Sequence, residues 1–134
     1  MKYLIIFFIS LSILFANDNY ELKLYEKIIP SIFKHKVYVY VDKKSEELLK
    51  NSDKFLIVDN CNNADILIGK YFDNLEDSCK NKPYFSTSYK SYKNNKNSFG
   101  AFYWRKGRPQ IKFREEIIKK QNLTLPDSFS KYIR

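Results

Sequence analysis

Two short, almost uninterrupted apolar runs constrain this chain most: "KFLIVD" at residues 54–59 and "ADILIG" at residues 64–69. Neither shows the in–out alternation of a strand with one wet face, so both are expected to be strands buried on both sides, as in a sheet covered by helices. What precedes them fits that expectation. "KVYVYV" at residues 36–41 is β-branched and aromatic and predicts a strand. "SEELLKNS" predicts a short helix with Leu48 and Leu49 turned inward. An order of helix, strand, helix, strand argues for an α/β sheet rather than an all-β sandwich.

Upstream, Leu22, Tyr25, Ile28, Ile29, Ile32 and Phe33 recur at three- and four-residue spacing and predict one buried helical stripe. Asp18 and Glu21 have the spacing of a capping box, which would start that helix at Asp18. Pro30 inside the pattern is expected to kink or split it. His35, the only histidine, follows near the helix end, where a surface or capping role is expected. Downstream, "KPYFSTS" predicts a strand and "YKSYKNNKN" a short helix. Residues 99–113 then predict a β-hairpin. Phe102 and Trp104 fall on one face, and Ala101 and Tyr103 on the other. Gly107 supplies positive φ at the turn, and Ile111 and Phe113 give the returning strand its apolar face. "REEIIKK" predicts a helix burying Ile117 and Ile118, and after Pro126 the last turns start with Asp127 as cap and dock through Phe129, Tyr132 and Ile133. The expected fold is a single small α/β domain, a mixed sheet flanked by helices, with a late β-hairpin and C-terminal helices.

The first sixteen residues have another character. Lys2 precedes an apolar run that ends at Phe15, and Ala16 stands before the polar "NDN". That is the layout of a secretory signal peptide cut after Ala16. The apolar run is also shorter than the roughly 20 residues that span a bilayer. Residues 17–134 would then form one periplasmic domain with no stable membrane span. Loss of Lys2 lowers the net charge from +9 to +8. The chain uses lysine almost everywhere, which reads as much as coding bias as a selected surface, so charge alone names no partner. Export also removes cytosolic DNA and RNA from reach, and no nucleic-acid partner is expected.

Cys61 and Cys79, the only cysteines, predict a disulfide in an oxidising compartment. Their spacing and the single histidine argue against a zinc or haem site. The bridge would pin the polar loop "KYFDNLEDSCKNK" against the entrance to the "ADILIG" strand. No nucleophile motif, phosphate-binding glycine loop or converging acid–base pair is present, so no enzyme activity, cofactor or metal is expected.

The hairpin is where composition departs from background. Arg105, Arg108 and Arg114 are three of the four arginines. Arginine's planar fork holds carboxylate or phosphate at two points and stacks on rings, which lysine does not. With Tyr103, Trp104 and Lys106 they have the composition of an interface hot spot. The same residues also suit a core strand followed by a solvated turn, and both readings stay open here. The candidate partner- or ligand-binding residues are Tyr103, Trp104, Arg105, Lys106 and Arg108.

The succession of leader, helix, "KVYVYV", short helix, "ADILIG" and late hairpin ending in Ile111-Lys112-Phe113, then a helix and Leu123-Thr124-Leu125 before the final turns, resembles the small periplasmic YfiR-like proteins. The resemblance implies a regulatory module that binds and restrains the outer domain of a membrane-bound diguanylate cyclase, with a stabilising disulfide for which Cys61 and Cys79 are the available thiols. The partner expected is the periplasmic part of an inner-membrane signalling protein. The alternative is a small-solute or anion binder, similar to one lobe of a periplasmic substrate-binding protein, with Arg105 and Arg108 as ligands. A third reading is an envelope structural or adhesion factor.

Overall fold

A computed structural model gives the backbone from Lys2 to Arg134 and the side chains from Asn17 onward, so the leader assigned to residues 1–16 lies outside the fully described residues. The elements in chain order are α1 (Lys2–Phe33), β1 (Val37–Val41), α2 (Lys43–Leu49), β2 (Phe55–Ile57), β3 (Ile66–Gly69), β4 (Tyr84–Ser86), α3 (Tyr89–Asn94), β5 (Ser98–Arg105), β6 (Arg108–Phe113) and α4 (Glu115–Lys120). Single 3₁₀ turns occupy Cys61–Asn63 and Asp77–Cys79, and a longer one spans Asp127–Tyr132. The strands form one six-stranded mixed sheet in the order β2-β1-β3-β4-β5-β6. The first five are parallel and β6 is antiparallel to β5. The fold is therefore the single α/β domain expected, with its late hairpin.

One face of the sheet carries the core. Tyr25, Ile28 and Ile29 of α1 and Leu49 of α2 pack with Val37, Val39, Ile66, Ile68, Phe85 and Phe102 from the strands, closed by Ile117, Ile118 and Phe129. Phe85 sits among rings, 5.7 Å from Tyr25 and 5.6 Å from Phe99 by centroid. Phe99 and Phe102 both join this cluster although strict alternation would separate them. The register shift between Tyr84 and Phe85 inserts an extra residue into β5 and accounts for it. Gly100 then faces Phe113 and Phe85 so closely that a Cβ would stand 2.8 Å from the Phe113 ring.

Four local expectations are corrected. Asp18 lies inside α1 rather than at its start. Of the kink or split expected at Pro30, the split does not occur: α1 continues to Phe33, and the Lys34 N–H reaches the Pro30 carbonyl at 2.8 Å. The proline removes only its own i→i−4 donor, and the last turn still closes. Helix α2 starts before the predicted Ser45, because Asp42 caps it by accepting from the Ser45 N–H at 2.9 Å. The other oxygen of the same carboxylate accepts the Lys70 N–H at 2.8 Å, tying the ends of β1 and β3 together. In the last turns Pro126, not Asp127, holds the cap position, with no side-chain bond.

The "ADILIG" strand is buried throughout, as its pattern predicts. The "KFLIVD" strand is not: β2 is an edge, Phe55 is buried and Leu56 is 39% exposed. Among the described residues no helix is long and apolar enough to cross a membrane.

Candidate functional site

The hairpin turns through Lys106 and Gly107, both at positive φ (51° and 75°). Two consecutive left-handed residues make the tight hairpin turn whose twist matches the flanking strands. Arg105 and Arg108 are thereby paired directly across the tip, with Trp104 opposite Pro109. Pro109 on the outer strand costs no ladder bond at an edge and discourages further strand addition. The far end of β6 is closed by residues 133–134, where the Arg134 N–H bonds the Phe113 carbonyl at 3.1 Å.

The candidate residues divide into two sets. Tyr103 is buried, and its ring lies 5.5 Å from Tyr89, beneath α3. Trp104 projects from the opposite face, half-buried, edge-on to Phe102 at 5.5 Å and 6.0 Å from Tyr20. Both rings are committed to packing on different faces, so the two do not form one aromatic platform. Arg105, Lys106 and Arg108 are exposed and make no salt bridge among the described residues, whose ion pairs are Lys50–Glu47, Lys80–Asp77 and Lys119–Glu115. Neither Arg105 nor Arg108 lines a described cavity.

Arg114, outside the candidate set, has the geometric demand that the arginine cluster suggested. Its guanidinium donates to the carbonyls of Asn95 (3.0 Å), Ser98 (2.8 Å) and Tyr92 (2.8 Å) and lies 4.2 Å from the Tyr92 ring centroid. It is a structural clamp between the end of α3, the start of β5 and the entry to α4.

Behind Trp104 a cleft of about 540 Å³ runs between α1, α2 and the ends of β4 and β5, with Glu21, Lys44, Thr87 and Trp104 among its walls. The Tyr25 hydroxyl donates to Glu21 Oε1 at 2.8 Å. Burial pushes the Glu21 carboxyl above the usual carboxylate range, partly offset by the Tyr25 and Trp104 donors beside it and by Lys44. Because the folded-state pKa lies above the unfolded one, the folded chain holds this proton more tightly. That stabilisation is complete below the ordinary carboxyl pKa and is lost as pH rises through the folded value. Glu21→Gln keeps the acceptor and removes the charge. It is expected to raise the melting temperature at neutral pH and to have no effect below about pH 4. Thermal unfolding followed across pH checks this, and a variant less stable at pH 7 than at low pH, relative to the native chain, contradicts it.

Cys61 and Cys79 form the expected disulfide, with Cα atoms 6.0 Å apart and both side chains buried. It joins the 3₁₀ turn before β3 to the one in the β3–β4 connection. The same junction is tied by Asn62, which hydrogen-bonds Glu76 and Ser78, and by the Lys82 ammonium on the Asn62 (3.0 Å) and Ala64 (2.6 Å) carbonyls. Among the described residues no group of three or more His, Cys, Asp or Glu is placed to hold a metal ion.

A feature that pattern reading missed lies on the other face of the sheet. There the β3–β4 connection and α3 enclose a second cavity of about 520 Å³, with Leu67, Phe72 and Tyr84 among its lining. Its only sequence signal was a lysine- and asparagine-rich helix face, indistinguishable from solvated surface. Compared with protein-family models, curated proteins and solved structures, the chain matches none.

Proposed function

We propose that this chain is an exported, non-catalytic binding or regulatory protein of YfiR-like type, whose hairpin tip docks on an acidic face of the periplasmic part of an inner-membrane signalling protein. One observation carries the reading: Arg105, Lys106 and Arg108 stand together on a short, tight turn, exposed and without a carboxylate partner among the described residues. A solvated cation on a floppy loop loses side-chain and backbone freedom on docking. A tip already fixed by six residue pairs of antiparallel ladder loses less. Paired guanidinium forks also suit carboxylates, which they hold at two points. Trp104 and Tyr103 serve this role by anchoring the hairpin to both faces of the domain.

The disulfide is consistent with an oxidising compartment. In the export reading, cleavage after Ala16 leaves Asp18 and Glu21 in the first turn of the mature helix, where carboxylates are favoured by the helix dipole. The test is affinity capture by the tagged protein from crosslinked envelopes of its own host, beside an Arg105→Gln/Lys106→Gln/Arg108→Gln variant. These side chains contribute nothing to the core, so the variant should keep the native melting temperature. One membrane signalling protein should be enriched by the native chain and reduced about tenfold or more by the variant. Recovery of the same proteins by both forms removes the tip as the docking element.

A further inference from the structure

The main core lies on the α1 face of the sheet, and among the described residues the opposite face is covered by α3 and the disulfide-tied β3–β4 connection. Between these two covers is the 520 Å³ cavity. Its size is that of a small-molecule site. The base is apolar: Leu67 and Tyr84 are buried, and the Phe72 ring meets Tyr84 edge-on at 5.7 Å. The Tyr84 hydroxyl is satisfied within the protein, 3.0 Å from both the Gly69 carbonyl and Ser91 Oγ, so it presents its ring rather than an unpaired donor.

The rim is one-signed. Lys70, Lys80, Lys82 and Lys90 line the cavity and no Asp or Glu does. Two of the four are occupied: Lys80 pairs with Asp77 at 2.8 Å, and Lys82 holds the Asn62 and Ala64 carbonyls. Lys70 and Lys90 have no side-chain partner among the described residues. An apolar molecule alone would make no use of these two exposed ammonium groups. A bare inorganic anion would leave the aromatic base wet.

We propose that this cavity binds a small organic anion, a flat aromatic body carrying one carboxylate, with its ring against Phe72, Tyr84 and Leu67 and its charge met by Lys70 and Lys90. The disulfide fixes one wall through Cys79, so the site exists before the ligand arrives. The inference is independent of the hairpin and of any partner docked there.

Isothermal titration of the disulfide-bonded protein with 2-naphthoate, 2-naphthalenemethanol and inorganic phosphate tests it. Naphthoate should bind with Kd below about 0.1 mM, and the neutral alcohol and phosphate at least about tenfold more weakly. Lys70→Gln/Lys90→Gln should lose about tenfold in naphthoate affinity at unchanged melting temperature, while Lys70→Arg/Lys90→Arg and the hairpin-tip variant should keep it. Equal binding of acid and alcohol, an unaffected Gln double variant, or no naphthoate binding at about 1 mM each overturns the proposal.

Discussion

Arg114→Ala should lower the melting temperature by on the order of 10 °C, equivalent to about 3 kcal/mol in a domain of this size. The side chain donates to three backbone carbonyls, of which the one on Asn95 also accepts the Ser98 N–H at 3.1 Å. Those of Tyr92 and Asn95 belong to the last turn and cap of α3, where helix carbonyls lack intrahelical partners. The third, on Ser98, opens β5. A cation at this end also opposes the negative end of the helix dipole, and its guanidinium lies over the Tyr92 ring, 4.2 Å from the centroid. Arg114→Lys should recover less than half of the loss, because a single ammonium cannot present the fork that spans these three acceptors. Differential scanning calorimetry of the two variants decides the matter. A shift within about 2 °C for alanine would mean that water replaces the clamp at little cost.

The second large effect is expected from the disulfide. Cys61→Ala, or reduction of the native protein, should cost about 3 kcal/mol and again on the order of 10 °C, since the bridge closes a loop over a sequence separation of 18. The loop it holds has little core of its own, and its remaining ties are mostly exposed hydrogen bonds around Asn62 and Glu76. Unfolding should therefore begin there. Amide exchange in the β3–β4 connection ought to accelerate in Cys61→Ala more than exchange in β3 itself. An equal melting temperature for oxidised and reduced protein would show that these ties suffice without the bridge.

The strand and helix assignments were largely legible because each rests on local pattern. Five β-branched or aromatic residues in "VYVYV" have few other uses, and the stripe from Leu22 to Phe33 has only one period. Errors arose where the deciding partner is distant in sequence. Leu56 reads like Leu67, yet one lies on a sheet edge and the other under a neighbour, and only strand order separates them. Asp42 caps α2 through the nearby Ser45 N–H, but the tie that fixes its carboxylate between two strands is non-local. Its second carboxylate bond, to Lys70, lies 28 residues away.

The candidate site shows the same division. Sequence alone determined that the chain makes an α/β domain, that residues 105–108 form a cationic turn and that Cys61 and Cys79 can pair, because composition, period and turn chemistry act over a few residues. Tertiary structure alone decided which arginine is a clamp and which have no partner among the described residues. Arg114 is turned into the α3–β5 junction by the antiparallel return of β6, while Arg105 and Arg108 are carried past the edge of the core. It alone also brought Lys70 and Lys90 to the rim of one cavity, whereas the opposite faces of Tyr103 and Trp104 follow from strand alternation. Lysines on separate connections become a common site only when strand pairing fixes the distance between them, and pairing is a property of the sheet rather than of either segment.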